Sequence, residues 1–265
     1  MIKQIQTPHK GLNHAGGIQS VAGAFAIVPF EGKKKKGKVV AYDLRPVLKK
    51  KTANPKPIEL DVDLYGNGAG SAGITHVPDG KGGYYYILGV GAAKTFSFYI
   101  SNSVSFTDPA CKFERLFKHK FKNQLFEAIN LFTQADGRVF MIGMQSTTIT
   151  IPKKIGAIPI PVIGGKEIGA KDDYMRIFEI DLTNNTLVDL KKERHLTVRH
   201  TSGKLSNAGS ILPVDPSAAL PIAAGIASHF RFGSSLRIQT TGKFELDVGQ
   251  RNFDRNGSYF YNRFR

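Results

Sequence analysis

Six polar side chains stand beside short apolar stretches of the chain, where they could meet and bind a ligand. They are His14, Gln19, Glu31, Asn130, Gln134 and His229. A carboxylate and two imidazoles could hold a divalent metal, or do acid–base chemistry if they came within hydrogen-bond reach. No ligand spacing specifies a metal, so we predict a polar ligand site at these six residues, without metal or cofactor. The alternative is a hydrolase or lyase in which His14, Glu31 and His229 are the reacting groups.

A second chemical feature is an excess of positive charge. The chain has 37 Lys and Arg against 21 Asp and Glu, a formal net charge of +16. Four of the lysines form a single run, at Lys33, Lys34, Lys35 and Lys36. Such a field attracts acidic partners, so we predict anion binding at this run and an acidic polymer or glycan as the partner. Nucleic acid is a less favoured partner, and a solvated hairpin tip is the alternative interpretation of the run.

Other site chemistries find no support in the sequence. The single cysteine, Cys111, excludes an internal disulfide and a zinc site of several thiolates. The glycine-rich stretch at 66–71 lacks the Gly-Lys-Ser/Thr that a phosphate-binding loop needs, and no Gly-x-Ser-x-Gly occurs. No apolar run is long enough for a transmembrane helix. We therefore expect no transmembrane segment, and we make no prediction of oligomeric state.

The elements that must position these residues are short apolar runs separated by Gly, Pro or Asp-Gly. The clearest are Ala24–Pro29, Val39–Leu44, Tyr84–Val90, Thr95–Ser101, Val139–Gly143 and Met175–Leu182. Many short runs rich in Val, Ile, Phe and Tyr predict an all-β protein built as a sandwich, barrel or propeller. One stretch, Lys112–Phe132, has apolar residues spaced by three and four, which predicts a helix or a linker turn.

Four stretches repeat one template, in which a small residue, an apolar strand, a turn and a second strand follow one another. They begin at Gly16, Ala72, Ala128 and Ala208. The first three begin about 55 residues apart, which is near the length of a four-stranded propeller blade. We predict a single-domain small β-propeller over residues 1–265, with four blades, or five if both termini build one. An apolar loop at 145–171 is expected to project from the third unit.

A propeller would explain how residues far apart in the chain come together. Its innermost strands surround a central channel, and its ligand site lies at one mouth, where loops from several blades converge. The six polar residues lie beside predicted inner strands. They are therefore our candidates for that mouth.

The chain also resembles a family of mostly exported bacterial proteins of unsettled activity that are expected to be β-propellers. The resemblance rests on scattered motifs: His14-Ala-Gly-Gly-Ile-Gln19, Val28-Pro-Phe-Glu31, Tyr42-Asp-Leu44, Ala72-Gly-Ile74, Asn130-Leu, Gln134-Ala-Asp-Gly137, Arg194-His195 and His229. The apolar insertion and the strong positive charge depart from the family's pattern. The resemblance implies a propeller fold and export more than any activity.

The N-terminus reads Met1-Ile-Lys-Gln-Ile-Gln-Thr-Pro-His and has no apolar segment typical of a signal peptide. We expect either a cytoplasmic protein or an exported one whose signal has been removed. The family resemblance favours export slightly.

Overall fold

The part of the chain that the structure describes folds mostly as β-strands with a single short helix, which confirms the all-β prediction. The computed structural model describes residues 11–21, 24–32, 37–49, 54–65, 68–150, 154–155, 158–159, 167–196, 234–238, 244–251 and 259–264. Within these ranges the one helix is α1 (Arg45–Lys49). The strands form four main sheets, which we number in chain order.

The first sheet is antiparallel and holds the N-terminal strands. Its members are β1 (Leu12–Ala15), β2 (Gln19–Val21), β3 (Phe25–Gly32), β4 (Gly37–Asp43) and β5 (Lys56–Glu59). β1 and β2 both pair with β3, so together they form one interrupted edge, and β4 and β5 follow outward. The register places His14 opposite Glu31, across the β1–β3 pair.

The second sheet has an antiparallel meander of four strands and a short fifth strand. Its members are β6 (Asp61–Val62), β7 (Ser71–Pro78), β8 (Tyr84–Ala92), β9 (Thr95–Ser101) and β10 (Lys112–Lys120). The order is β7-β8-β9-β10, and β6 adds to β10 in parallel. A bulge interrupts the β9–β10 register between Arg115 and Phe117.

The third sheet repeats the meander with two longer middle strands. Its members are β11 (Ala128–Thr133), β12 (Val139–Thr150), β15 (Glu167–Asp181) and β16 (Thr186–Leu196). Pairing between β12 and β15 continues past Gln145 as far as Thr150 and Glu167. The region predicted as a loop at 145–171 therefore begins and ends as a two-stranded ladder. Between its arms lies a small pair, β13 (Lys154–Ile155) with β14 (Ile158–Pro159).

The fourth sheet is a three-stranded antiparallel meander near the C-terminus. Its members are β17 (Ser234–Ile238), β18 (Phe244–Arg251) and β19 (Tyr259–Phe264). The fourth predicted repeat, which begins at Ala208, lies outside the described residues.

Edge strands of the four sheets lie next to one another. β2 lies beside β7, β7 beside β11, β11 beside β17, and β17 beside β2. A glycine permits one of these approaches: a Cβ on Gly73 of β7 would lie 3.0 Å from the Leu131 backbone nitrogen of β11. The contacts therefore connect the four edge strands in a closed cycle.

Two apolar cores lie between successive sheets. The first joins the first and second sheets through side chains such as Ile27, Ile74 and Leu88. The second joins the second and third sheets through Phe98, Leu131 and Met141 among others. Continuous apolar runs are expected for strands that are buried on both faces, which explains why six strands could be predicted from such runs.

The helix predicted over Lys112–Phe132 is wrong. This stretch forms β10, a connecting segment and β11. Phe113 lies in the first core while Phe117 and Phe121 belong to the second, and the bulge before Phe117 moves the aromatic rings from one face to the other. That change of face produced the spacing of three and four that imitates a helix.

Candidate functional site

One buried amide connects three edge strands. The side-chain oxygen of Gln19 in β2 accepts hydrogen bonds from the backbone N–H groups of Ile74 in β7 (2.9 Å) and Leu131 in β11 (2.8 Å). Its side-chain nitrogen donates to the Leu131 carbonyl at 2.6 Å. An amide side chain has about four hydrogen-bonding sites, so three of them are already occupied here.

The hydrogen bonds of Gln19 lie between the two ends of the three edge strands. β7 and β11 run in parallel, because Ser71 Oγ accepts from the Ile129 N–H near their beginnings and Thr75 Oγ1 bonds Thr133 Oγ1 further along both strands. A parallel bridge between Gly17 and Ser71 gives β2 the same direction. We call the end where β2, β7 and β11 begin the cleft end, and the end where they finish the turn end. Gln19 lies between the two and separates them.

Two of the six predicted site residues meet at the cleft end. Nδ1 of His14 lies 3.3 Å from Oε1 of Glu31, which is ion-pair distance when the imidazole is protonated. The side chain of Glu31 is 32% exposed and that of His14 is 67% exposed, so the carboxylate is the more sheltered partner. The cross-strand register of β1 and β3 creates this pair.

The Glu31 carboxylate lines a cleft of about 400 Å³ between the first and second sheets. The lining residues are Glu31, Gly32, Gly68, Ala92, Ala93, Lys94 and Thr95. Gly68 leaves room for this space, since a Cβ there would lie 3.2 Å from both Glu31 Oε2 and the Ala92 Cβ. Lys94 also lines the cleft, and its ammonium group donates a hydrogen bond to the Lys122 carbonyl at 3.3 Å. The cleft therefore has one carboxylate and one ammonium group at its margin.

A row of cations runs from this cleft along β10. Lys120 pairs with Thr95, Lys118 with Ser97, and Arg115 with Tyr99. Paired residues of an antiparallel ladder project to the same face, and Tyr99 belongs to the core shared with the first sheet. Arg115, Lys118 and Lys120, which we call the basic row, therefore lie on the same face of the second sheet as the cleft-lining Thr95.

On the opposite face of β10, the residues next to Lys118 and Lys120 in the chain are aromatic and not cationic. Phe117 stacks on Phe98, and His119 packs edge-on against Phe121. Burial lowers the pKa of His119, so its imidazole stays neutral at neutral pH. Because successive residues of β10 point to opposite faces, Lys118 and Lys120 lie on one face and the aromatic rings on the other.

The remaining described candidates lie away from the cleft. Gln134 is in the turn after β11, at the turn end, where its Oε1 accepts from the Arg138 guanidinium at 3.1 Å. Asn130 is 2% exposed and faces away from the second sheet; neither polar atom of its side chain has a hydrogen-bond partner among the described residues. His229 and the run of Lys33, Lys34, Lys35 and Lys36 lie outside the described residues.

A second cleft, of about 330 Å³, lies at the outer margin of the first two sheets. It is lined by residues 56–61 and 106–109 together with Cys111, and contains none of the predicted site residues. Burial, followed by the nearby Asp108 and Asp61, raises the pKa of the Cys111 thiol. A thiol held in its protonated form is a poor nucleophile.

Among the described residues no group of three or more His, Cys, Asp or Glu side chains could hold a metal ion. In those parts of the chain, no helix has the length and apolar character needed to cross a membrane.

Sequence reasoning missed most of the cleft lining and the basic row. Gly68 belongs to the glycine-rich stretch at 66–71, whose composition suggests a phosphate-binding loop and gives no sign of a cleft lining. Lys118 and Lys120 alternate with His119 and Phe121, and this period of two is the signal that could have predicted a strand with one charged face in place of the helix. Nothing in the sequence placed that face beside Glu31, because the placement depends on the packing of two sheets.

Comparisons with known proteins give a distant likeness of fold. No protein-family model matches the chain, and no curated protein matches it. The mostly-β structure is similar to the crystal structure of the intramolecular trans-sialidase from Ruminococcus gnavus in complex with oseltamivir carboxylate, at 16% sequence identity and a TM-score of 0.36. The match covers 91% of this chain and 40% of that one, so the chain spans about two fifths of that protein's length.

Proposed function

We propose that the four sheets are the blades of a small β-propeller that binds an acidic glycan at the cleft end. The closed cycle of β2, β7, β11 and β17 supports the propeller, because inner strands of neighbouring blades surround one axis. Gln19 occupies the position near that axis with hydrogen bonds to two other strands. A ligand would therefore bind at a mouth of the propeller and would not pass through it.

The observation that carries the proposed ligand is the pairing of opposite charges in one cleft. Lys94 and Glu31 both line it, and His14 contacts the carboxylate. A carboxylate accepts hydrogen bonds from sugar hydroxyls, and an ammonium group attracts a uronate or sulfate. An inorganic anion would use the lysine alone, whereas an acidic sugar uses both groups.

The net charge of +16 supports the same class of ligand. It would draw a polyanion toward the protein and make binding depend on ionic strength. We include in the proposal that the protein acts outside the cytoplasm, where such polymers are found on cell surfaces.

The test measures affinity for a uronic-acid oligosaccharide by calorimetry over a range of salt concentrations. We expect affinity to fall as salt rises toward the physiological range. Lys94→Gln should weaken binding about tenfold, since it removes the cation in the cleft. Glu31→Gln should also weaken binding, because the amide presents an N–H₂ where the ligand's hydroxyl donates.

The matched control is Lys81→Gln, which removes the same charge from an exposed turn at the turn end. It should bind like the wild type. Equal losses from Lys81→Gln and Lys94→Gln would show that net charge alone, without the cleft, governs attraction. Affinity that does not change with salt would contradict the proposal.

The second candidate function is hydrolysis or lyase cleavage of the same polymer. The specific observation in its favour is the 3.3 Å contact between His14 and Glu31, since such a pair can supply a proton donor and a proton acceptor. New reducing ends released by the wild type, and not by His14→Ala or Glu31→Gln, would establish it. Binding of the polymer without release of reducing ends would show that the protein binds the polymer and does not cleave it.

A further inference from the structure

We infer that the basic row extends the cleft into a groove for several sugar residues, so that the ligand is a polyanionic chain and not a single acidic sugar. The inference rests on the proposed function, because it assigns the class of ligand for the same site. It is carried by the register of β10 against β9, which aligns three cations with the cleft-lining Thr95.

The spacing of the row suits a repeating polyanion. Residues two apart on a strand are separated by about 7 Å. The ladder partners of Lys120, Lys118 and Arg115 are two residues apart in succession, so the row spans about 14 Å beyond the cleft. An ion or monosaccharide in the cleft cannot reach its far end, whereas a chain with acidic groups along its length can contact each cation.

Arg115 is held in position at the far end of the row. Its guanidinium carbon lies 3.7 Å from the centre of the Tyr65 ring, and Tyr65 as a residue is 54% exposed. Tyr65 itself has a φ of 48°, an uncommon conformation for a residue other than glycine. Its backbone N–H donates to the carboxylate of Asp63, the nearest acidic residue in sequence. Stacking orders the guanidinium in advance, so less side-chain entropy is lost when a carboxylate binds it.

The groove favours a glycan over a nucleic acid. The Glu31 carboxylate at its inner end repels any anionic group, phosphate or uronate, but accepts hydrogen bonds from hydroxyl groups, of which a glycan carries several on each sugar residue. Unspecific binding of single-stranded nucleic acid uses several aromatic rings on which successive bases stack. Along the described basic row, the exposed ring is Tyr65, and Arg115 already covers one side of it.

The experiment measures affinity against chain length. Uronic-acid oligomers from disaccharide to long chain are titrated into the wild type and into a variant carrying Arg115→Gln, Lys118→Gln and Lys120→Gln. For the wild type, affinity and its salt dependence should rise with length and then level off once the row is covered. The triple variant should lose about tenfold or more in affinity for long chains and keep its affinity for the disaccharide.

The matched control removes three exposed cations elsewhere, with Lys49→Gln, Lys81→Gln and Lys191→Gln. It should keep the length dependence of the wild type. Single substitutions at Lys118 and Lys120, each about a third as costly as the triple variant on a logarithmic scale, serve if the triple variant unfolds early.

Three outcomes would overturn the inference, and they are distinguishable. Equal affinity for all lengths, with losses only in Lys94→Gln and Glu31→Gln, would leave the proposed function intact and remove the groove. No binding at any length would remove both. Tighter binding of single-stranded DNA of matched charge would show that the partner is a nucleic acid and not a glycan.

Discussion

The acidic side chains at the two ends of the edge strands have different surroundings. At the turn end, Asp43 and Asp181 are the last residues of β4 and β15, and Asp79 and Asp136 lie in turns between strands. Each of the four accepts a hydrogen bond from a backbone N–H within a few residues. At the cleft end, Glu31 faces a histidine from another strand and an open space.

The difference separates carboxylates that shape the chain from one that is positioned for a ligand. Hydrogen bonds from Arg138 lower the pKa of Asp136, and those from Asn184 lower the pKa of Asp181. Such groups are occupied in fixing their own turns. Among the described residues Glu31 contacts His14 of another strand and helps to fix no turn, so substitution there should affect a ligand more than the fold.

The largest effect on stability is expected at Gln19, between the two ends. Gln19→Leu leaves two buried backbone N–H groups and one carbonyl without their partner. Each such loss costs about 1–3 kcal/mol, so we expect the free energy of unfolding to fall by about 3 kcal/mol or more. Urea denaturation followed by circular dichroism measures the change.

The control for this variant is Gln134→Leu, at an exposed turn with one side-chain contact from Arg138. It should alter stability by less than about 0.5 kcal/mol. Gln19 was also predicted to bind ligand. A Gln19→Leu protein that unfolds normally but no longer binds the oligosaccharide would show that the amide serves the ligand and not the strands.

A smaller effect, dependent on pH, is expected from Asp43 at the turn end. Its side chain is buried, and two hydrogen bonds from the Arg45 guanidinium, at 2.9 and 2.7 Å, lower the pKa of its carboxyl below the ordinary 3.8. A depressed pKa in the folded state stabilises the protein above about pH 4, and this stability disappears as pH falls through the folded pKa. Asp43→Asn should therefore cost about 1–2 kcal/mol at neutral pH.

Unfolding measured at several pH values tests this assignment. The difference between wild type and Asp43→Asn should shrink steadily below pH 4, because the wild-type carboxyl then becomes protonated. Glu31→Gln, the comparison at the cleft end, should change neutral-pH stability by less than about 0.5 kcal/mol. A larger loss at Glu31 than at Asp43 would reverse the distinction between the two ends.

The sequence predicted the strands well where both faces are buried. Tyr84–Val90 and Thr95–Ser101 correspond to β8 and β9, because continuous apolar runs leave little alternative to a central strand. It failed at Lys112–Phe132, where a bulge changed the period of the apolar residues. A bulge depends on pairing with a partner strand, so local spacing could not reveal it.

The candidate site was predictable only in part. The repeat template brought His14 and Glu31 into consideration, and the register of β1 and β3 places them together. Gln134 was a candidate of the same site but lies at the turn end. It follows β11, and residues that precede a strand and residues that follow it lie at opposite ends of a sheet. Lys94 and Gly68 come from connections whose meeting depends on sheet packing, and no local pattern records that packing.

The smallest expected effect compares backbone strain at the two ends. Ala93 lines the cleft with a φ of 54°, and Asn185 has a φ of 52° in the turn between β15 and β16. Alanine is strained in this region while asparagine tolerates it. Ala93→Gly should therefore raise the free energy of unfolding by about 0.5–1 kcal/mol, and Asn185→Gly should change it by less than about 0.3 kcal/mol.

Denaturation measures the stability of both variants, and oligosaccharide titration measures their affinity for the ligand. Equal stabilisation by both would mean that strain does not distinguish the ends, whereas weaker binding by the more stable Ala93→Gly protein would tie the strained backbone to the shape of the cleft.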